Sequence, residues 1–160
     1  MAREAAPVLI AYDGSEVARA AVRQAAELFA GRPALVATVW EPGLAVVAMG
    51  RPDALGMSTV PDPATVETID RLQREHASTV AADGAELARS LGLAAAPQAV
   101  PDGVDVADTL IDIARQRGAA VVVVGSHGIS GLRSRLLGSV SRKLIEHCDR
   151  PVLVIRDHSL

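Results

Sequence analysis

Ala119-Ala120-Val121-Val122-Val123-Val124-Gly125-Ser126-His127-Gly128 is the stretch whose reading decides the fold. Four valines in a row are β-branched and apolar at every position, so both faces of the strand they form must be covered. That is the situation of a central strand in a parallel sheet. Gly125 ends the strand and opens a loop that runs to Gly138.

Moving outward, the same pattern repeats. Upstream, Ala95 to Val100 reads as a strand that leaves through Pro101-Asp102-Gly103. A helix follows, carrying Val106, Leu110, Ile113 and Ala114 and stopped by Gly118. Downstream of the loop comes a helix with Val140, Leu144, Ile145 and Cys148, then Pro151 and a last strand, Val152 to Ile155. At the other end of the chain, Val8 to Tyr12 is an apolar run halted by Asp13-Gly14-Ser15. Ala18, Ala21, Val22, Ala25, Leu28 and Phe29 then recur at helical spacing, with Ser15 as N-cap and Gly31 as the stop. Ala34 to Trp40 gives another strand.

From Asp62 a long helical period runs through Val66, Ile69, Leu72, His76, Val80, Leu87 and Leu91, with Pro63 in the first turn and Gly92 at the end. On propensity alone, Gly84 costs that helix about 1 kcal/mol relative to Ala. The segment 41–61 is rich in Gly, Pro and Met and has no period, and it is expected to be a flexible insertion.

Five strands alternating with four helices through short connections predict an α/β fold with a parallel sheet and right-handed crossovers. Such sheets take ligands at the carboxyl ends of their strands, which directs attention to the loops after Tyr12, Trp40, Val100 and Val124. A chain of 160 residues predicts a single domain spanning 1–160.

Composition removes several function classes. With 49% hydrophobic residues and 2% aromatic, the core must be aliphatic, and Tyr12, Phe29 and Trp40 are too few and too scattered for a base-stacking platform. The net charge of -3 also argues against nucleic acid as a partner. Cys148 is the single cysteine, so there is no internal disulfide and no cysteine metal cluster; no protein metal site is expected. The N-terminus lacks a signal-peptide core, and even so clean an apolar run as Ala119 to Val124 falls far short of the roughly 20 residues a membrane span requires. A cytoplasmic protein with no membrane partner is the expectation. Charge is unevenly spread: residues 53–112 hold eleven acidic and three basic groups, residues 125–156 six basic and two acidic.

The basic end coincides with the loop Gly125 to Ser139. Its glycines permit positive φ and close backbone approach, so several N–H groups can be aimed into one concavity that suits an anion. Gly138-Ser139-Val140 starts a helix whose free N–H groups face the same space, and Ser139 can act as N-cap or donate its hydroxyl to phosphate. Walker A is excluded because no lysine precedes Lys143, and the Gly-x-Gly-x-x-Gly dinucleotide pattern follows neither strand. Asp13 reads either as a helix cap or as a ligand contact, the second being preferred because of the loop. His127 reads as phosphate neighbour or solvated bystander, at least one of Arg133 and Arg135 as solvated loop face, and His76 as a partly buried or interface residue. His147 and Cys148 lack a second pair at metal-ligand spacing. No catalytic set is visible.

The spacing Gly-x2-Gly-x9-Gly-Ser from Gly125, the first strand ending in Asp-Gly-Ser and the closing Pro-Val-Leu-Val-Ile-Arg together resemble the universal stress protein family over nearly the whole chain. The resemblance implies a Rossmann-like doubly wound sheet ordered 3-2-1-4-5 with helices on both faces, which brings Asp13 and the glycine loop to one switch point. It implies that Asp13 contacts the nucleoside, that Val39 lines the adenine pocket, and that Gly125, Gly128, Gly138 and Ser139 hold ribose and phosphates. With their neighbours Ser126, His127, Val140 and Ser141 these are the candidate nucleotide-binding residues. Position 127, commonly Arg or another basic or polar residue in the family, is His here. The resemblance further implies an ATP-binding stress or signalling protein, with magnesium accompanying the ATP, that acts as sensor or partner rather than as a turnover enzyme. Slow ATP hydrolysis or phosphoryl transfer is the alternative, as is a dimeric module holding another adenine nucleotide such as cyclic AMP. A homodimer through Val152, Leu153, Val154 and Ile155 is also expected, because an edge strand of four apolar residues carries none of the charges or prolines that protect open edges.

Overall fold

The computed structural model describes residues 5–43, 46, 61–129 and 137–156. Five strands, β1 (Val8–Ala11), β2 (Pro33–Trp40), β3 (Ala94–Pro101), β4 (Val121–Gly125) and β5 (Val152–Ile155), form one sheet in the order β3-β2-β1-β4-β5. Every pairing is parallel. Between them run α1 (Glu16–Leu28), α2 (Pro63–Ser90), α3 (Val106–Gln116) and α4 (Ser139–His147).

Both faces of the inner strands β1, β2 and β4 are buried, and alternation along them divides the core in two. Val8, Ile10, Val36, Val121 and Val123 pack with α1 and α2 on one face, while Leu9, Leu35, Ala37, Val122 and Val124 pack with α3 and α4 on the other. The uninterrupted apolar character of Val121 to Val124 follows from this, since all four are buried. The sheet is therefore doubly wound. Its chain direction reverses between β1, which turns back toward β2, and β4, which leads outward to β5, so the switch crevice opens above the carboxyl ends of β1 and β4.

Three helices begin with a side-chain cap. Ser15 Oγ accepts from Ala18 N at 3.1 Å, Asp62 Oδ1 from Ala64 N and Thr65 N, and Asp105 Oδ1 from Asp108 N at 2.9 Å. Ser15 thus caps α1 as the sequence predicts, and Gly31, at φ 75°, follows its end. The fourth helix, α4, starts at Gly138 with no side-chain cap.

The long helix departs from its expected stripe. No residue from Pro63 to His76 is buried: Leu72 is 55% exposed and His76 faces solvent rather than the interior. Ala77, Ala81, Gly84, Ala85 and Ala88 instead form the buried seam. At Gly84 the cause is Tyr12, 3% exposed, whose ring lies directly beneath it. A Cβ on Gly84 would stand 2.6 Å from Tyr12 Cδ1, so small residues set how closely α2 approaches the sheet. The Tyr12 hydroxyl is buried without a hydrogen-bond partner, and burial pushes the phenol pKa above its ordinary 10.0. Most of the 41–61 segment, the loop residues 130–136 with Arg133 and Arg135, and the tail 157–160 lie outside the described residues. Among the described residues no helix is long and apolar enough to cross a membrane.

Candidate functional site

A cavity of about 780 Å³ opens at the switch crevice. Its size falls in the range of roughly 300–1,000 Å³ common for small-molecule sites. One end is apolar, built from Ala37 and Val39 of β2 with Val106 and Leu110 of α3; the other is formed by the Gly125–Ile129 turn and the start of α4. Of the residues singled out from sequence, Asp13, Val39, Gly125, His127, Gly128, Gly138, Ser139, Val140 and Ser141 all line it. Ser126 does not; it lies buried behind the wall.

Ser126 is nonetheless the knot that closes the loop. Its N–H donates to Ile155 O at 2.7 Å, and its carbonyl accepts from Gly138 N at 2.7 Å and from Ser141 Oγ at 3.1 Å. Ser141, 1% exposed, also reaches Gly138 O at 3.0 Å. The two ends of the loop are thereby tied together, with the Ser141 hydroxyl engaged by the backbone. Ser126 Oγ lies 3.1 Å from His127 Nδ1, which orients the imidazole at the wall.

Asp13 spans the crevice. Oδ1 accepts from Ser15 N at 3.0 Å and Oδ2 from Ile129 N at 3.1 Å, so one carboxylate links the turn after β1 to the turn after β4. It does not cap α1; the Ser15 hydroxyl does that. Beyond this clasp lies a second cavity of about 430 Å³, sharing Asp13, His127, Gly128 and Ile129 with the first.

The described loop glycines, Gly125, Gly128 and Gly138, work by close approach and not by positive φ. The positive-φ glycines of the described chain are Gly14, Gly31, Gly43, Gly92 and Gly118, whereas Gly138 has φ -63°. A Cβ on Gly128 would lie 2.9 Å from Asp13 Oδ2, and one on Gly138 3.3 Å from Ser126 O. Gly125 serves packing: its Cβ would strike Val17 Cγ1 at 2.6 Å, so the missing side chain lets α1 settle against β4. Ser139 is likewise not the N-cap, because Gly138 holds that position. The opening turn of α4 therefore faces the cavity with its N–H groups uncapped by any side chain, an arrangement favourable to an anion.

Sequence reading missed Arg142 and the apolar residues of α3. Val106 and Leu110 carried a signal in their helical spacing, but nothing local said that α3 would roof the β2 end. Lys143, next to Arg142, is turned away: its Nζ donates to Asp105 Oδ2 at 2.5 Å and Asp108 Oδ2 at 2.7 Å, joining α4 to the start of α3. That hydrogen bond from Lys143 is the leading cause holding the Asp105 carboxyl below its ordinary 3.8, and the two aspartates hold the Lys143 ammonium above its ordinary 10.5.

The universal stress protein family model matches residues 5–156. The chain belongs to the universal stress protein family. It is 29% identical over 149 residues to the universal stress protein YxiE of Bacillus subtilis, covering 93% of this chain and 97% of that one. The solved structure of MJ0577, from Methanocaldococcus jannaschii, superposes with a TM-score of 0.76 at 19% identity, covering 99% of this chain and 100% of that one. The universal stress protein of Archaeoglobus fulgidus in complex with dAMP superposes with a TM-score of 0.61 at 21% identity, covering 96% and 99%. These structural likenesses extend the family's fold to this chain, whose sheet order is its own evidence for it.

Proposed function

We propose that this universal stress protein binds ATP in the switch crevice and acts as a nucleotide-dependent sensor or partner. The observation that carries the reading is the polarity of the cavity: an aliphatic end at Val39 and Leu110 suited to a purine, and an anion-attracting end at the uncapped start of α4. Asp13 stands between them, where a carboxylate can accept from ribose hydroxyls. That a family structure holds dAMP supports an adenine nucleotide as the ligand.

The residues favour binding over turnover. Among the described residues Asp13 is the one carboxylate in the cavity wall, with both oxygens accepting backbone N–H groups, and His127 is the one imidazole. Among the described residues no three of His, Cys, Asp or Glu are grouped to hold a metal ion, so magnesium would enter with the triphosphate. Titration calorimetry with ATP tests the reading, and a steady-state ATPase assay on the same sample tests its non-catalytic half. Heat release with a stoichiometry of one and no phosphate production is expected; no binding of any adenine nucleotide would refute it.

The same reading includes a homodimer through β5. The two sheet edges differ: β3 carries Pro97 and Pro101, and Arg89 Nη1 donates to Ala95 O at 3.0 Å, whereas β5 presents half-buried Val152, Leu153 and Val154 with no proline or charge within the strand. An unprotected apolar edge favours pairing with its own copy across a two-fold axis.

A further inference from the structure

We infer that Arg142 is a phosphate-reading residue that makes the site favour nucleoside di- and triphosphates over monophosphates. The inference rests on the nucleotide reading above and goes beyond the glycine loop and helix start that carry it. Two cations stand side by side on α4, and the structure separates their roles. Lys143 is held by two carboxylates at the start of α3, Asp105 and Asp108, and does not line the cavity. Arg142 lines the cavity, forms no ion pair among the described residues, and makes one long hydrogen bond, Nη2 to Leu137 O at 3.4 Å.

Arg142 lies three residues after Ser139, so the two share one face of α4, and both border the cavity. The helix-start N–H groups serve the phosphate nearest the loop. A guanidinium one turn further along reaches past them to the outer phosphates, with donors in a planar fork that matches two phosphate oxygens. The apolar end at Val39 fixes the opposite end of the ligand, so phosphate-chain length decides whether this arginine is engaged. Arg142 is exposed, so it is able to reorient toward the ligand and its replacement should leave folding intact.

The test is calorimetric titration of wild type, Arg142→Gln, Arg142→Lys and Lys143→Gln with ATP, ADP and AMP at one fixed salt concentration, alongside circular dichroism. Loss of a charge-assisted pair at a partly exposed site should weaken ATP by about tenfold in Arg142→Gln, with AMP changed less than about twofold. Arg142→Lys should recover part of the loss, and Lys143→Gln should retain the wild-type preference for ATP. Equal weakening of ATP and AMP, or no weakening, overturns the role of Arg142 while leaving the nucleotide site standing. A wild-type chain that binds none of the three nucleotides overturns the site and this inference together.

Discussion

Replacing Gly84 by Ala sets helix propensity against packing, and the two predict opposite signs. In the interior of α2 the substitution gains about 1 kcal/mol of propensity. Against that, the new Cβ meets the Tyr12 ring at 2.6, 2.8 and 2.9 Å, contacts that must open to at least 3.4 Å to become ordinary. The ring is buried between α2 and the sheet, so it cannot swing into solvent, and either the helix or the ring must shift by about 0.8 Å. Overpacking of that kind costs about 1–3 kcal/mol, which leaves a net loss of up to about 2 kcal/mol. At roughly 2–4 °C per kcal/mol for a chain of this size, Tm should fall by up to about 8 °C. Urea denaturation should show the lower midpoint with an unchanged slope. In a Tyr12→Leu background the ring is gone, and Gly84→Ala should turn neutral or stabilising. Gly84→Ala more stable than wild type in the native background would refute the packing of α2 on Tyr12.

Three further outcomes follow from the site and its supports. Asp13→Ala removes the acceptor for Ser15 N and Ile129 N; it should weaken ATP by at least tenfold, raise hydrogen exchange at Ile129, and cost less than about 2 kcal/mol of stability, since the Ser15 cap remains. The stability difference between wild type and Lys143→Gln should hold steady around neutral pH. Because the folded-state pKa of Asp105 is depressed, its contribution is present above the ordinary 3.8 and is lost as pH falls through the lowered value; urea titrations at several pH values measure this. Leu153→Lys should give a folded monomer by light scattering with nucleotide affinity intact, and a wild-type chain already monomeric at micromolar concentration would remove the β5 interface.

Much of this was legible in residue order because each strand is short, apolar and bounded by turn residues. Val121 to Val124 declared a central strand, and Asp13-Gly14-Ser15 a strand-to-helix turn with its cap. The glycine spacing located the loop correctly, but its reason was hidden. Whether Gly125 serves ligand or packing depends on Val17, more than a hundred residues away, and no local pattern holds that information. The buried seam of α2 differs for a related cause: hydrophobicity picks out Leu72 and Leu91, while the buried face is alanine with glycine at position 84, where the Tyr12 ring leaves no room for a Cβ. Lys143 and Arg142 are adjacent in sequence, and only the position of α3 distinguishes the paired cation from the one at the cavity.

The most direct measurement is calorimetric titration of ATP into the wild-type chain and into Gly138→Val, whose side chain would crowd Ser126 O and stand at the start of α4 where the phosphates are proposed to lie. Saturable binding at one site per chain is expected for wild type, and loss of at least tenfold in affinity for the variant with its circular dichroism spectrum unchanged. Equal affinity in two equally folded proteins would contradict the placement of the phosphates, and absence of binding in the wild type would contradict the nucleotide site itself.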